Sequence, residues 1–501
     1  MASSIDKVVL INISSGSEGI INPGDSYLSF KFIEEGLRAV GFHNLVKFPS
    51  KPLSLFEMFY GNGNRLMEEL HNSLRDDWNI MFGLPVMTET YWAAEVISGM
   101  IRRDFPFSTI VAGGNHIERE NIFDRDGIRC FDAVDIALLP QQDRQLNVKK
   151  KRPFANFAVT GHMQPFIELV MNDGRFNKGI EGLYTLKEGQ VVGAGKGKLP
   201  KLNHVPISYI DQKISGTGEK LRFIFAQLRS SCPNSCKYCA TTKGISFPVD
   251  MAVEGLERVL KGIPVTIINL TDPNPMAKNS VDYYLELLDK LRGKGIKPYV
   301  QCYLDPSLLV DEKYFKELIN IFKDYLFISY FIGMDCVNQE VAGMMGRNLQ
   351  GRFRTQQEFD AEQEAVKRFI SELKSFNLLG GRHFSQEMIL SYIVTPFDSY
   401  DTTLRTINQA EQFRARSNGY VKVDARIGTL MPYPGTALRK EYAHHIKDPE
   451  DFNTHNDQRN PWSLDMGPQA KFLEYGGLFS RRDYKLMREY LNEAYKKKSV
   501  Q

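Results

Sequence analysis

Six cysteines among 501 residues are too few for a disulfide-stapled scaffold. No apolar run approaches the roughly 18 residues that a membrane span requires. Charge is nearly balanced, with 63 Lys and Arg against 60 Asp and Glu. A protein that coats nucleic acid is therefore not expected, nor is an acidic tail. There is no internal repeat and no low-complexity tract. The apolar run within Met1–Leu10 is too short for a signal peptide and is broken at Asn12. It reads as a first strand, and a cytoplasmic location with no membrane partner is expected. What is present, 42% hydrophobic and 25% charged residues, is the balance of a folded soluble protein. The length suggests two to four domains.

The first 140 residues alternate strands and helices. KVVLINI at 7–13 is a continuous apolar run, as a buried parallel strand requires. Helical spacing follows over 27–40, then strands at 78–82, 108–112 and 134–139, with a helix over 92–101 between the first two. This rhythm predicts a Rossmann-like doubly wound parallel sheet over 1–145. The basic stretch 147–152 reads as a solvated turn. Residues 146–215 read as a linker with a helix at 166–171, a hairpin turning at Glu188-Gly189 and a Gly/Lys/Pro-containing segment over 194–205. Alternation restarts at LRFIFAQ, 221–227, and six strand–helix units up to residue 440 predict a partial barrel. The tail 441–501 reads as small and mostly helical, placed to cover a substrate site.

Cys232, Cys236 and Cys239 lie in LRSSCPNSCKYCATTKG, directly after the first strand of that barrel. Three thiolates on one loop can hold three corners of a cubane and leave the fourth iron open. A ferredoxin-type cluster needs a fourth thiolate, and Cys302 is far away on another strand. A structural zinc site needs a further Cys or His close by; His204 is the nearest, and there is no second Cys-x2-Cys. Chance clustering does not explain the position after a strand. The open-site cluster accounts for all of these features.

The spacing Cys232-x3-Cys236-x-Tyr238-Cys239 resembles the signature of the radical S-adenosylmethionine (SAM) superfamily. The resemblance implies a partial (β/α)6 barrel and a [4Fe–4S] cluster on the three cysteines. It also implies SAM bound to the open iron and reductive cleavage of SAM to a 5′-deoxyadenosyl radical. Tyr238 would pack near the adenine. The segment NLTDPNPMAKN, 269–279, resembles the loop after the second strand, and its Asp272 is implied as a SAM contact. Gly333-Met334-Asp335-Cys336 resembles a turn ending the fourth strand, with Asp335 at the acidic ribose contact. ILSYIVTPFD, 389–398, resembles the fifth-strand element with Ser391 where glycine is usual, and MPYPGTAL, 431–438, resembles the element after the sixth strand.

A Rossmann-like domain ahead of such a barrel resembles the cobalamin-binding subclass of this superfamily. Ligands of doubly wound sheets sit at the carboxyl ends of strands. The implied cobalamin contacts are therefore Ser14, Ser15 and Gly16 after the first strand and Gly113, Gly114 and Asn115 at a later strand end. The segment 181–184 matches as well. No Asp-x-His-x-x-Gly occurs, so no histidine is expected on the cobalt, and His116 reads as a surface residue. The resemblance implies methyl transfer to an unactivated carbon of a small-molecule or peptide-derived substrate. An external one-electron reductant such as a flavodoxin or ferredoxin is implied with it. A radical SAM cyclase or rearrangement enzyme with a degenerate cobalamin domain is the alternative within the superfamily. A non-catalytic iron–sulfur protein is the alternative outside it.

Overall fold

The computed structural model describes residues 5–14, 24–54, 63–74, 79–86, 91–114, 117–118, 120, 132–139, 141–143, 148–150, 153–213, 220–230, 232, 234, 236–239, 244–263, 265–324, 327–346, 348–349, 352–376, 386–395, 398–417, 421–430 and 435–442. The chain forms two compact units, one from residues 1–203 and 431–475 and one from 204–430 and 476–501. Each is built on a seven-stranded sheet.

In the first unit the strands are β1 (Lys7–Ser14), β2 (Leu45–Ser54), β3 (Ile80–Pro85), β4 (Thr109–Gly113), β5 (Gln141–Asp143), β6 (Val148–Lys150), β7 (Phe157–Val159), β8 (Leu183–Lys187) and β9 (Gln190–Gly193). The sheet order is β2-β1-β3-β4-β7-β8-β9. Strands β1 to β4 and β7 run parallel, and β8 and β9 complete the edge antiparallel. The apolar run of β1 divides between two cores. Val9 and Ile11 pack with Ile80 and Phe82, while Val8 and Leu10 pack with Met81 and Phe166. A parallel strand covered on both faces must be apolar throughout.

The second unit contains β10 (Ile207–Lys213), β11 (Lys220–Ala226), β12 (Val265–Leu270), β13 (Tyr299–Leu304), β14 (Phe327–Asp335), β15 (Asn348–Leu349), β16 (Arg352–Phe353), β17 (Gln386–Val394) and β18 (Val421–Thr429). The sheet order is β10-β11-β12-β13-β14-β17-β18. From β11 to β18 its members are parallel, and β10 pairs antiparallel with β11. This is the expected α/β repetition of six parallel strands, with Val249–Leu260, Val281–Gly293, Glu312–Asp324, Gln356–Phe376 and Tyr400–Arg414 as the main intervening helices.

The structure departs from the sequence reading in several places, each with a physical reason. Residues 134–139 are not a strand. Ala133–Leu138 is a helix, opened by a reciprocal capping box between Asp132 and Asp135. The segment read as a linker is divided between the two sheets. β7, β8 and β9 extend the first, and β10 borders the second. Glu188 and Gly189 do form the hairpin turn, both with positive φ. The Gly/Lys/Pro segment after it is not a tether. Gly197 donates to the Thr160 carbonyl and accepts from His162, and a Cβ on Gly182 would lie 2.2 Å from the Gly197 nitrogen. The strand β2 and the helix Gly63–Leu74 lie outside the sequence reading. Pro49 and Pro52 disguise β2, and its place at the sheet edge is where prolines are tolerated. The basic stretch 147–152 contributes β6, which pairs with β5. Residues 435–442 belong to the first unit, so the chain leaves the barrel near residue 430 rather than 440. The tail from 443 lies outside the described residues.

Candidate functional site

The cysteine loop leaves the carboxyl end of β11, and the next three strands each send one aspartate to it. Asp272, just beyond β12, is fully buried. Its carboxylate accepts the backbone N–H of Leu228 at 3.0 Å and of Arg229 at 2.7 Å. Asp305, just beyond β13, accepts the side-chain amide of Asn234 at 3.4 Å and that of Asn274 at 3.0 Å. Asp335, the last residue of β14, accepts the Tyr238 hydroxyl at 2.9 Å. The loop is thus held at its start, between Cys232 and Cys236, and again beside Cys239.

The electrostatics fit this work. Burial pushes the Asp272 carboxyl up to about 6, against the opposing pull of the N–H groups of Leu228 and Arg229. Asp335 has φ +49, a left-handed conformation that disfavours residues with a Cβ. The β14–β17 register shifts between Gly333 and Asp335, so the strand bulges there. This strained geometry turns the Asp335 side chain toward Tyr238. Further along the loop, the Lys237 N–H donates to the Met345 carbonyl at 2.9 Å. Gly346, φ +65, lies so close that a Cβ there would be 2.6 Å from Lys237 Cγ.

Cys232 and Cys236 are half-buried and Cys239 is exposed; none is in a disulfide. Among the described residues no three His, Cys, Asp or Glu side chains are placed to hold a single metal ion. A cubane makes a different demand, because each thiolate takes a different iron. The donor set on this loop, three thiols and no carboxylate or imidazole within 232–239, matches that demand. Cys302 is wholly buried within β13, and burial pushes its thiol well up. Cys336 is buried at the end of β14. Burial first, then Asp398, pushes its thiol up to about 12, with Cys236 close enough to add to the effect.

Of the expected SAM contacts, Tyr238 and Asp335 come together through their hydrogen bond. Asp272 gives its carboxylate to the backbone of the loop rather than to an open surface. Ser391 is exposed on β17, opposite Gly333 of β14 and Arg426 of β18. In the first unit Ser14 ends β1. Gly113 ends β4, and its carbonyl accepts from the Val86 N–H. Gly114 has φ +118, and a Cβ there would meet the Val86 carbonyl oxygen at 2.6 Å, so closure of the strand end itself requires this glycine. Ser15, Gly16, Asn115, His116 and Tyr433 lie outside the described residues. Of the segment 431–438, Gly435 donates to Glu120 at 2.7 Å, and Arg439 just beyond it pairs with Glu120 at 3.1 Å, both within the first unit.

Asn234, Asp305 and Arg354 did not emerge from the sequence. Asp305-Pro306-Ser307 reads as a helix cap, and Asp305 does cap Pro306–Val310 through the Ser307 N–H. The cap hides its second task on the cysteine loop.

No protein-family model matches this sequence, and no curated protein is similar to it in sequence. Solved structures do match. The radical SAM methyltransferase TsrM from Kitasatospora setae, with tryptophan and a SAM analogue bound, aligns at TM-score 0.56 and 15% identity. The alignment covers 88% of this chain and 76% of TsrM. TsrM with cobalamin and a [4Fe–4S] cluster aligns at TM-score 0.55 and 14% identity, over 88% of this chain and 75% of that one. The chain has the fold of the cobalamin-dependent radical SAM enzymes. OxsB, another radical SAM enzyme of that kind, with aqua-cobalamin and SAM bound, aligns at TM-score 0.51 and 13% identity. That match takes in 82% of this chain, which spans about half the length of OxsB (52%). Among the described residues, no helix of this radical SAM fold is long and apolar enough to cross a membrane.

Proposed function

We propose that the protein is a cobalamin-dependent radical SAM enzyme that transfers a methyl group to an unactivated carbon of a small-molecule or peptide-derived substrate. The observation that carries this reading is the three-cysteine loop at the carboxyl end of β11, gripped by aspartates from the next three strand ends. TsrM and OxsB, which share the fold, hold cobalamin, and TsrM holds a [4Fe–4S] cluster as well. Cys232, Cys236 and Cys239 would hold the cluster, and the turns ending β1 and β4 would border the cobalamin. When bound, these groups supply one-electron chemistry, hydrogen abstraction and a transferable methyl group. The chain supplies placement. Asp272 sets where the loop begins, and Asp305 fixes its middle through Asn234. Asp335 orients Tyr238, leaving the ring face of that residue for the adenine of SAM. An external one-electron reductant of the flavodoxin or ferredoxin kind and a cytoplasmic setting belong to the same reading.

Anaerobic reconstitution with iron, sulfide, SAM, hydroxocobalamin and a low-potential one-electron reductant tests it, with products read by mass spectrometry against a candidate metabolite pool. Methylated product, S-adenosylhomocysteine and 5′-deoxyadenosine are expected. Deoxyadenosine with a rearranged but unmethylated product would replace methyl transfer with the cyclase reading. Absence of any SAM cleavage would leave a non-catalytic cluster protein. Electron paramagnetic resonance of bound cob(II)alamin should show no splitting from a protein imidazole.

A further inference from the structure

A buried arginine stands behind the cysteine loop. Arg354 follows β16, and its side chain is 0% exposed. Nη1 donates to Glu362 of the helix Gln356–Phe376 at 2.9 Å, and Nη2 lies 3.5 Å from Asp305 Oδ1. Nε and Nη2 are buried and make no hydrogen bond among the described residues. The carboxylate it faces is the one that holds Asn234, Asn274 and the Ser307 hydroxyl. Arg354 is therefore two side chains removed from the segment between Cys232 and Cys236.

The arrangement is costly. Desolvating a guanidinium and two carboxylates carries a penalty that an apolar group of equal volume avoids. Packing at the mouth of the sheet does not call for an arginine. A planar guanidinium anchored on Glu362, with one nitrogen 3.5 Å from Asp305 Oδ1, does suit the orientation of that carboxylate, which in turn holds Asn234 of the loop.

We propose that Arg354 is a positioning residue for the iron–sulfur loop, acting through Asp305 and Asn234, and that its fixed positive charge stabilises the reduced cluster. The second half of the claim rests on the cluster reading above; the first half does not. Net charge and hydrogen bonding around a cluster set its potential. Asp305 lies 3.5 Å from the guanidinium and accepts from Asn234, which stands between Cys232 and Cys236, so the charge is near the thiols.

The test compares the full-length wild type with Arg354→Gln and Arg354→Lys. In cluster-free protein, iodoacetamide alkylation mapped by mass spectrometry reads each thiol separately. Cys232 and Cys236 should alkylate several-fold faster in both variants, because neither restores the fork, while Cys302 stays at the wild-type rate. In reconstituted protein, a redox titration followed by electron paramagnetic resonance should give a more negative potential in Arg354→Gln. Arg354→Lys, which keeps the charge, should return it toward wild type. Unchanged thiol rates and potential in a folded Arg354→Gln protein would overturn the proposal. Should Arg354→Gln fail to fold, Asn234→Ala decides, since it cuts the same chain at the loop; unchanged rates at Cys232 and Cys236 there would overturn it too. A wild type that takes up no iron would end the cluster reading and the potential claim with it, and the alkylation result would still decide positioning.

Discussion

The two sheets close the carboxyl ends of their strands in different ways. In the first unit, backbone meets backbone. Gly114 lies against Val86 and Gly182 against Gly197, at distances that admit no Cβ. In the second unit, side chains do the work. Three aspartates, delivered by the ends of β12, β13 and β14, hold the cysteine-bearing loop. Backbone closure is stiff and insensitive to charge. Carboxylate closure depends on protonation and tolerates small movements. The difference suits a rigid turn in one unit and, on the reading proposed above, a loop that accepts a bulky inorganic group in the other.

Substitutions should separate the two modes. The largest loss of stability is expected for Arg439→Met, which leaves Glu120 buried without its ion-pair partner. Breaking such a pair costs about 3–5 kcal/mol. Chemical denaturation should show the loss in the transition that reports the first unit. Gly182→Ala comes next. Its φ of +84 and the close Gly197 nitrogen should together cost more than about 2 kcal/mol, with no dependence on pH.

Asp272→Asn sharpens the contrast. Asp272 is protonated up to about pH 6 in the folded chain, whereas in the unfolded chain it ionises in the ordinary carboxylate range. The folded state therefore binds more protons across that window, and stability falls as pH rises from about 4 to about 6. The asparagine keeps an oxygen for the N–H groups of Leu228 and Arg229 and removes the titration. Stability measured from pH 4 to 7 should lose this part of its slope, and a variant with the wild-type slope would contradict the assignment. The smallest effect is expected from Tyr238→Phe, which removes one hydrogen bond to Asp335 at about 1 kcal/mol. Its signature should be weaker SAM binding rather than unfolding.

The alternating apolar runs made both parallel sheets legible in the sequence, because a strand buried on both faces has few ways to be written. The cysteine spacing made the loop legible for the same kind of reason: thiol chemistry is carried by few residue types. The supports were not legible. Asp272, Asp305 and Asp335 are ordinary strand-end aspartates until the topology shows that consecutive strands lie side by side. Arg354 sits 120 residues after the asparagine it serves, since 354 less 234 is 120, and no periodicity marks it. VDIALL alternates like a strand, and only the Asp132 cap reveals the helix at Ala133–Leu138. The glycines after the β8–β9 hairpin look like those of a linker, although they mark close backbone approach.

On the reading proposed above, Cys232, Cys236 and Cys239 carry a cluster with one open iron. Iron and sulfide content of anaerobically reconstituted wild type and Cys236→Ala, with electron paramagnetic resonance of the reduced protein before and after SAM is added, tests it most directly. About four irons per chain are expected, with a spectrum that changes when SAM is added, and loss of cluster and SAM cleavage in a Cys236→Ala protein that keeps its fold. A Cys236→Ala protein that retains its iron and cleaves SAM at the wild-type rate would contradict it.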